Sequence, residues 1–143
     1  MEYRRIEADD YKDIFELNKK LGYSYDADKV YDRIISLLET GSDIISVADD
    51  NGSVVAYIHG SPYETLYSDK LFNVVAFVVK KDLDNRDQVA KELFDAFEKR
   101  VKKNGYAGIR IVANTERVHL YEFLTHNGFE SHRDLKHYLK YFD

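Results

Sequence analysis

The chain contains no cysteine among its 143 residues. That excludes a disulfide, a thiolate nucleophile and a thiolate metal site. It also lacks any run of about eighteen apolar residues, the length that a membrane-spanning helix requires. The opening, Met-Glu-Tyr-Arg-Arg-Ile-Glu-Ala-Asp-Asp, has charges where a signal peptide would carry an apolar stretch. Positive charge is in short supply, since 21 Lys and Arg against 26 Asp and Glu leave a net charge of −5. A nucleic-acid binder displaces counterions with a basic face. The densest basic run here, Lys99-Arg100 with Lys102-Lys103, falls near a predicted helix C-terminus, where the dipole favours cations. Linkers, low-complexity tracts and internal repeats are missing as well. The reading is a single domain over 1–143, cytoplasmic, with neither nucleic acid nor membrane as partner.

What is present is the composition of an ordinary globular protein, 44% hydrophobic and 33% charged. Tyr3 to Glu7 alternates around Ile6 as a short first strand. Asp9 or Asp10 is placed to cap a helix carrying Ile14, Leu17 and Leu21, which Gly22 ends. A second helix, from about Asp28, sets Val30, Ile34, Leu37 and Leu38 on one face, with Gly41 after it. Ile44 to Ala48 and Ser53 to His59 read as strands joined by Asp49-Asp50-Asn51-Gly52, because Asn-Gly accepts the positive φ of a type I′ turn. That acidic cluster lacks the remaining ligands and the distal Glu of a calcium loop.

Leu71 to Val79 is nearly all apolar, the pattern of a strand buried on both faces. Asp87 is placed to start a helix with Val89, Leu93, Phe94, Phe97 and Val101 in register, and Gly105 ends it. Ile109 to Ala113 reads as a further buried strand. A helix follows, and Leu135 to Tyr141 reads as a closing strand. The order βααβββαβαβ predicts an α/β fold, a mixed central sheet with helices on both faces.

Three segments carry a family resemblance. Arg117 to Phe129 reads R-V-H-L-Y-E-F-L-T-H-N-G-F. It resembles the C-terminal signature of the GNAT N-acetyltransferases, commonly R-x-x-A-H-x-F-Y-x-x-x-G-F followed by a strand. Leu21-Gly22-Tyr23 looks like the L-G-Y after the first helix of small-amine members. Pro62-Tyr63-Glu64-Thr65-Leu66-Tyr67-Ser68 looks like their loop before the central strand. The element order also matches over nearly the whole chain.

The resemblance implies that the strands near 71–79 and 109–113 are parallel neighbours that splay, so that backbone of Val78, Val79 and Lys80 pairs with the pantetheine arm of acetyl-CoA. It also implies a pyrophosphate loop of pattern R-G-x-G-x-G/A opening the next helix, where free N–H groups and the dipole favour anions. Here the loop reads Asn85-Arg86-Asp87-Gln88-Val89-Ala90, followed by Lys91. Ala90 keeps the small position, while Arg86 and Gln88 replace glycines. Asp84 and Asp87 put negative charge beside the expected phosphates, Arg86 supplies a cation, and Asp87 alternatively serves as an ordinary helix cap. Asn114 completes the cofactor set.

Catalytic positions depart further from the pattern. Counting back from Gly128, Leu124 stands where the family's tyrosine protonates the leaving thiolate. Tyr121 lies one turn earlier on the same face and is the candidate acid. The strand 71–79 has no carboxylate, and Asn73, its one polar residue, can orient a water but takes up no proton at neutral pH. Glu64 and His59 are spare candidates for proton transfer, and Tyr23, Tyr25, Tyr63 and Tyr67 are candidates to line the acceptor side. The histidines show no metal-ligand spacing, so no metal is expected. The resemblance thus implies transfer of acetyl from acetyl-CoA to a primary amine of a small molecule by direct attack, with eroded catalytic motifs. The alternative is a catalytically silent domain of this fold that binds a ligand or partner. A homodimer is compatible with either.

Overall fold

Strand side chains alternate between the two faces of a sheet, so strand register decides which residues each helix layer covers. The computed structural model describes residues 1–113 and 117–142, and the chain forms two units, Met1–Ile111 and Val112–Asp143. In the first unit β1 (Glu2–Arg5), β2 (Ile44–Asp50), β3 (Ser53–Tyr63), β4 (Leu71–Val79) and β5 (Gly108–Ile111) form one sheet in chain order. The first four strands pair antiparallel and β5 joins β4 in parallel. This is the mixed sheet that the sequence predicts.

One face packs against α1 (Tyr11–Lys20) and α2 (Ala27–Thr40). There Ile45, Val47, Tyr57 and Val78 join Ile14, Leu17, Val30 and Ile34 in a single cluster. The opposite face packs against α3 (Arg86–Lys103), with Phe72 against Phe97 and Phe77 against Phe94 at ring separations of 5.8 and 6.3 Å. α3 starts without a side-chain cap, an omission worth about 1 kcal/mol. Burial of Val89, Leu93, Phe94, Phe97 and Val101, at about 1.5–3 kcal/mol each, outweighs it.

Several expectations change. Leu21 and Leu38 are exposed rather than core, because each helix buries only the narrow stripe that meets the sheet. Asp10 holds the N-cap position of α1 without a side-chain bond to that helix, its side chain closing a capping box on the short 3-10 turn Ala8–Asp10. Its carboxylate accepts from the Glu7 amide and from both Arg4 terminal nitrogens. Asp87 lies inside the first turn of α3, and Asn85 occupies the cap position. The 50–53 hairpin forms as predicted, with Asn51 at φ 51° and Gly52 at φ 95°. Asp49 of the acidic cluster accepts from the Gly52 amide and pairs with Arg4, which makes it a turn and ion-pair residue.

β4 is not buried on both faces throughout. Val74 stands opposite Gly60 while Ala76 stands opposite His59, so Val75 is the extra residue of a β-bulge, and it is 51% exposed. β5 is shorter than expected and only half-buried.

In the second unit α4 (Val118–His126) ends in a Schellman turn. Gly128 adopts φ 85°, and the Phe129 amide returns to the Leu124 carbonyl at 3.0 Å, which gives the Gly-Phe of the signature its structural reason. The closing strand expected over Leu135–Tyr141 does not form, since 129–142 holds neither helix nor strand. Leu135, Leu139 and Tyr141 are exposed. Alternation supplies a face, but a strand exists only through a ladder, and none reaches this segment among the described residues.

Candidate functional site

The β4–β5 ladder runs from Leu71 and Gly108 to Val74 and Ile111 and stops there, while β4 continues to Val79. The bulge at Val75 sits where the ladder stops. A bulge bends its strand, and this one lies just past the last β4–β5 pair, where β5 ends at Ile111 and β4 runs on alone. Val78 and Val79 remain in register with Tyr57 and Ala56 of β3. The Lys80 amide donates to the Val55 carbonyl at 2.9 Å, so the group that Lys80 retains for a ligand is its carbonyl.

A short turn leads from Lys80 to α3. The first helical bond of α3 runs from the Val89 amide to the Asn85 carbonyl, the Asn85 side chain makes no cap, and no side chain among the described residues bonds the amides of Arg86, Asp87 and Gln88. The Arg86 Nε is buried with no hydrogen-bond partner among the described residues. An orphaned donor of that kind costs about 1–3 kcal/mol unless a ligand accepts from it. Gln88 instead bonds Glu92 and Lys91 pairs with Asp95 along the helix, and Ala90 carries only a methyl group. The segment therefore offers backbone amides and one guanidinium. Asp84 and Asp87 are exposed and oppose an anion there. Acetyl-CoA requires donors for a pyrophosphate and backbone groups for an extended arm, and these residues fit both needs. Asn114 lies outside the described residues.

A polar strip occupies the continuation of the α1–α2 face of the sheet. Gly60 points its missing side chain at Phe72 and Phe97 on the α3 side, so alternation sends His59, Ser61 and Tyr63 to the other face. Asn73 stands opposite Ser61 on β3 and opposite Arg110 on β5. Arg110 donates to Asn73 Oδ1 at 2.8 Å and lies over the Tyr63 ring at 4.5 Å. The hydroxyls of Tyr63 and Tyr67 approach to 3.3 Å. His59 Nε2 is 2.7 Å from Asp43 Oδ2. Glu64 is exposed. Tyr23 and Tyr25 stay in the α1–α2 connection, where Arg33 donates to the Tyr25 hydroxyl at 3.2 Å.

The structure thus brings Asn73, Tyr63 and Tyr67 together, and it adds Arg110 and Asp43, which sequence reasoning passed over. Arg110 was visible as the one charge in the run Ile109-Arg110-Ile111, where a strand facing apolar layers on both sides would have no place for it. Asp43 gave no signal, because its pairing with His59 depends on the β2–β3 register.

On α4 Tyr121 is 62% exposed and Leu124 half-buried. The Thr125 hydroxyl donates to the Tyr121 carbonyl at 3.0 Å. Among described residues there is no cluster of three or more His, Asp or Glu able to hold a metal ion.

Comparison with known proteins places these features in context. No curated protein sequence matches the chain. Among solved structures, the aminoglycoside N-acetyltransferase AAC(6')-Iy in complex with CoA superposes with a TM-score of 0.84 at 17% identity, covering 97% of this chain and 93% of its own. Aminoglycoside 6'-N-acetyltransferase AAC(6')-IG from Acinetobacter haemolyticus gives 0.81 at 18% identity, over 100% of both chains. Glucosamine-6-phosphate N-acetyltransferase from Arabidopsis thaliana gives 0.77 at 19%, covering 99% and 98%. These identities establish a shared fold. The model of the acetyltransferase (GNAT) domain matches residues 2–143, and the chain belongs to the GNAT family of acetyltransferases.

Proposed function

We propose that the protein transfers acetyl from acetyl-CoA to a primary amine of a small molecule, by direct attack with both substrates bound. The observation that carries this reading is the start of α3, where uncapped amides and the orphaned Arg86 Nε follow directly on a strand that runs on past the end of its parallel neighbour. Acetyl-CoA supplies the activated acyl group. The chain's own tasks are to hold it, to take a proton from the acceptor ammonium and to deliver one to the departing thiolate.

Backbone of Val78, Val79 and Lys80 holds the arm, and Asn85 to Lys91 holds the pyrophosphate, with Asn114 assigned to the cofactor by resemblance. Asn73 accepts from Arg110 through its oxygen, so its amide nitrogen is left to orient a water that relays the ammonium proton. Tyr121 offers the phenol that Leu124 lacks and is the proposed acid. The aminoglycoside enzymes of the same fold favour a polyamine as the first acceptor class to try.

Replacement of the strand carboxylate by Asn73 and of the family tyrosine by Leu124 supports a second reading, a domain that binds CoA without turning it over. Release of free thiol from acetyl-CoA in the presence of primary amines separates the two. The first reading predicts slow, acceptor-dependent release. CoA binding with no release from any acceptor favours the second.

A further inference from the structure

The far end of α3 holds a second group of cations that the acetyl-transfer reading does not use. α3 is 18 residues long, about 27 Å at 1.5 Å per residue, so its last turn lies well away from Arg86. In the antiparallel pairing of β1 with β2, Arg5 stands directly opposite Ser46, and both side chains face α3. Arg100 reaches down from the helix and donates to Ser46 Oγ at 2.7 Å. Lys103 and Asn104 continue the same helix face, and Tyr3 closes the other side. Together they line a cavity of about 300 Å³, large enough for a phosphate with a small organic substituent.

Charge in this cavity is unbalanced. Arg4 at its rim is neutralised by Asp10 and Asp49, and Tyr3 donates its hydroxyl to Glu92 at 2.6 Å. Arg5, Arg100 and Lys103 have no carboxylate partner among the described residues, and no Asp or Glu lines the cavity. Helix capping does not account for them, because the last carbonyls of α3 are already met by backbone. The Asn104 amide bonds the Arg100 and Val101 carbonyls, and the Gly105 amide bonds that of Lys102. Burial, followed by the charge of Arg5, lowers the pKa of Arg100, as expected for cations gathered without a counter-ion. In a protein of net charge −5, general attraction for anions does not explain such a local accumulation.

We propose that this cavity is a binding site for a phosphate dianion, free or as a small phosphomonoester, with Arg5, Arg100 and Lys103 as its cations and Ser46 and the Asn104 side chain as neutral polar partners. Guanidiniums present forked donors to phosphate oxygens, and Lys adds a compact charge.

The test is a titration of the isotope-labelled full chain with inorganic phosphate, and separately with glycerol phosphate, followed by amide NMR at constant ionic strength in chloride. Saturable shifts are expected at Ser46, Asn104 and Arg5. Losing one charge-assisted contact should weaken binding about tenfold in Arg5→Gln and in Lys103→Gln. Both positions are exposed, so the fold is retained. Lys102→Gln, which loses only the pairing of Lys102 with Glu98, should leave affinity unchanged. Tighter binding of glycerol phosphate than of phosphate identifies an ester as the ligand, and equal binding identifies the free ion. Shifts that rise without saturating, that fall equally in the Lys102 variant, or that appear only around Arg86 would overturn the proposal.

Discussion

Asp49 shows how one carboxylate ties the hairpin to the first strand. Its hydrogen bond with Arg4, and then that with the Gly52 amide, hold its carboxyl below the usual carboxylate range. A depressed folded value stabilises the fold above the unfolded pKa of about 4, and that contribution is lost as pH falls through the folded value. Melting temperature should therefore drop with acid below about pH 4, and Asp49→Asn should flatten that part of the profile while lowering stability at neutral pH. Tyr121 is the residue on which turnover depends in our reading. Tyr121→Phe removes only the hydroxyl, and a positioned acid is worth about 10²–10⁴ in rate. We expect kcat to fall by such a factor with CoA affinity unchanged, and an unaltered kcat would remove Tyr121 from the chemistry. At this scale the sequence was only partly legible. Tyr121 and Asn73 are proposed because a family pattern points at their positions, whereas the Asn73–Arg110–Tyr63 contacts depend on a register between strands far apart in sequence.

Among the elements, the β4 bulge and the opening of α3 shape the candidate site, and Gly60 fixes the first. A Cβ at Gly60 would lie 2.7 Å from the Phe72 and Phe97 rings, both fully buried and unable to turn aside. Overpacking of this kind costs about 1–3 kcal/mol. Gly60→Ala should lower the urea midpoint accordingly and weaken CoA binding, because the strand that bends beside it would shift. An unchanged midpoint would mean that the rings have room to move. Helices and the central strands were readable from periodicity, as the buried stripe Val89, Leu93, Phe94, Phe97 and Val101 confirms. The bulge was not, since Val75 sits in a run of apolar residues with nothing to mark it as unpaired. The run Leu135–Tyr141 failed for the opposite reason, having the alternation of a strand without a partner to pair with.

For the molecule as a whole, fold and family are legible from element order and three motifs, and the family match over residues 2–143 bears this out. Chemistry is harder to read, because Arg86 and Gln88 stand where the family pattern has glycine, and Asn73 and Leu124 stand at the positions expected to move protons. The account stands on backbone donors binding CoA at the start of α3 despite Asp84 and Asp87. Losing even one good charge-assisted contact costs about 1.5–3 kcal/mol, which places the expected Kd above roughly 10 μM. Calorimetric titration of CoA into the native protein and into Asp87→Asn tests this directly. We predict weak, saturable binding that tightens several-fold in the variant, by relief of like-charge repulsion. Absence of binding in both proteins, or sub-micromolar affinity in the native one, would contradict the account.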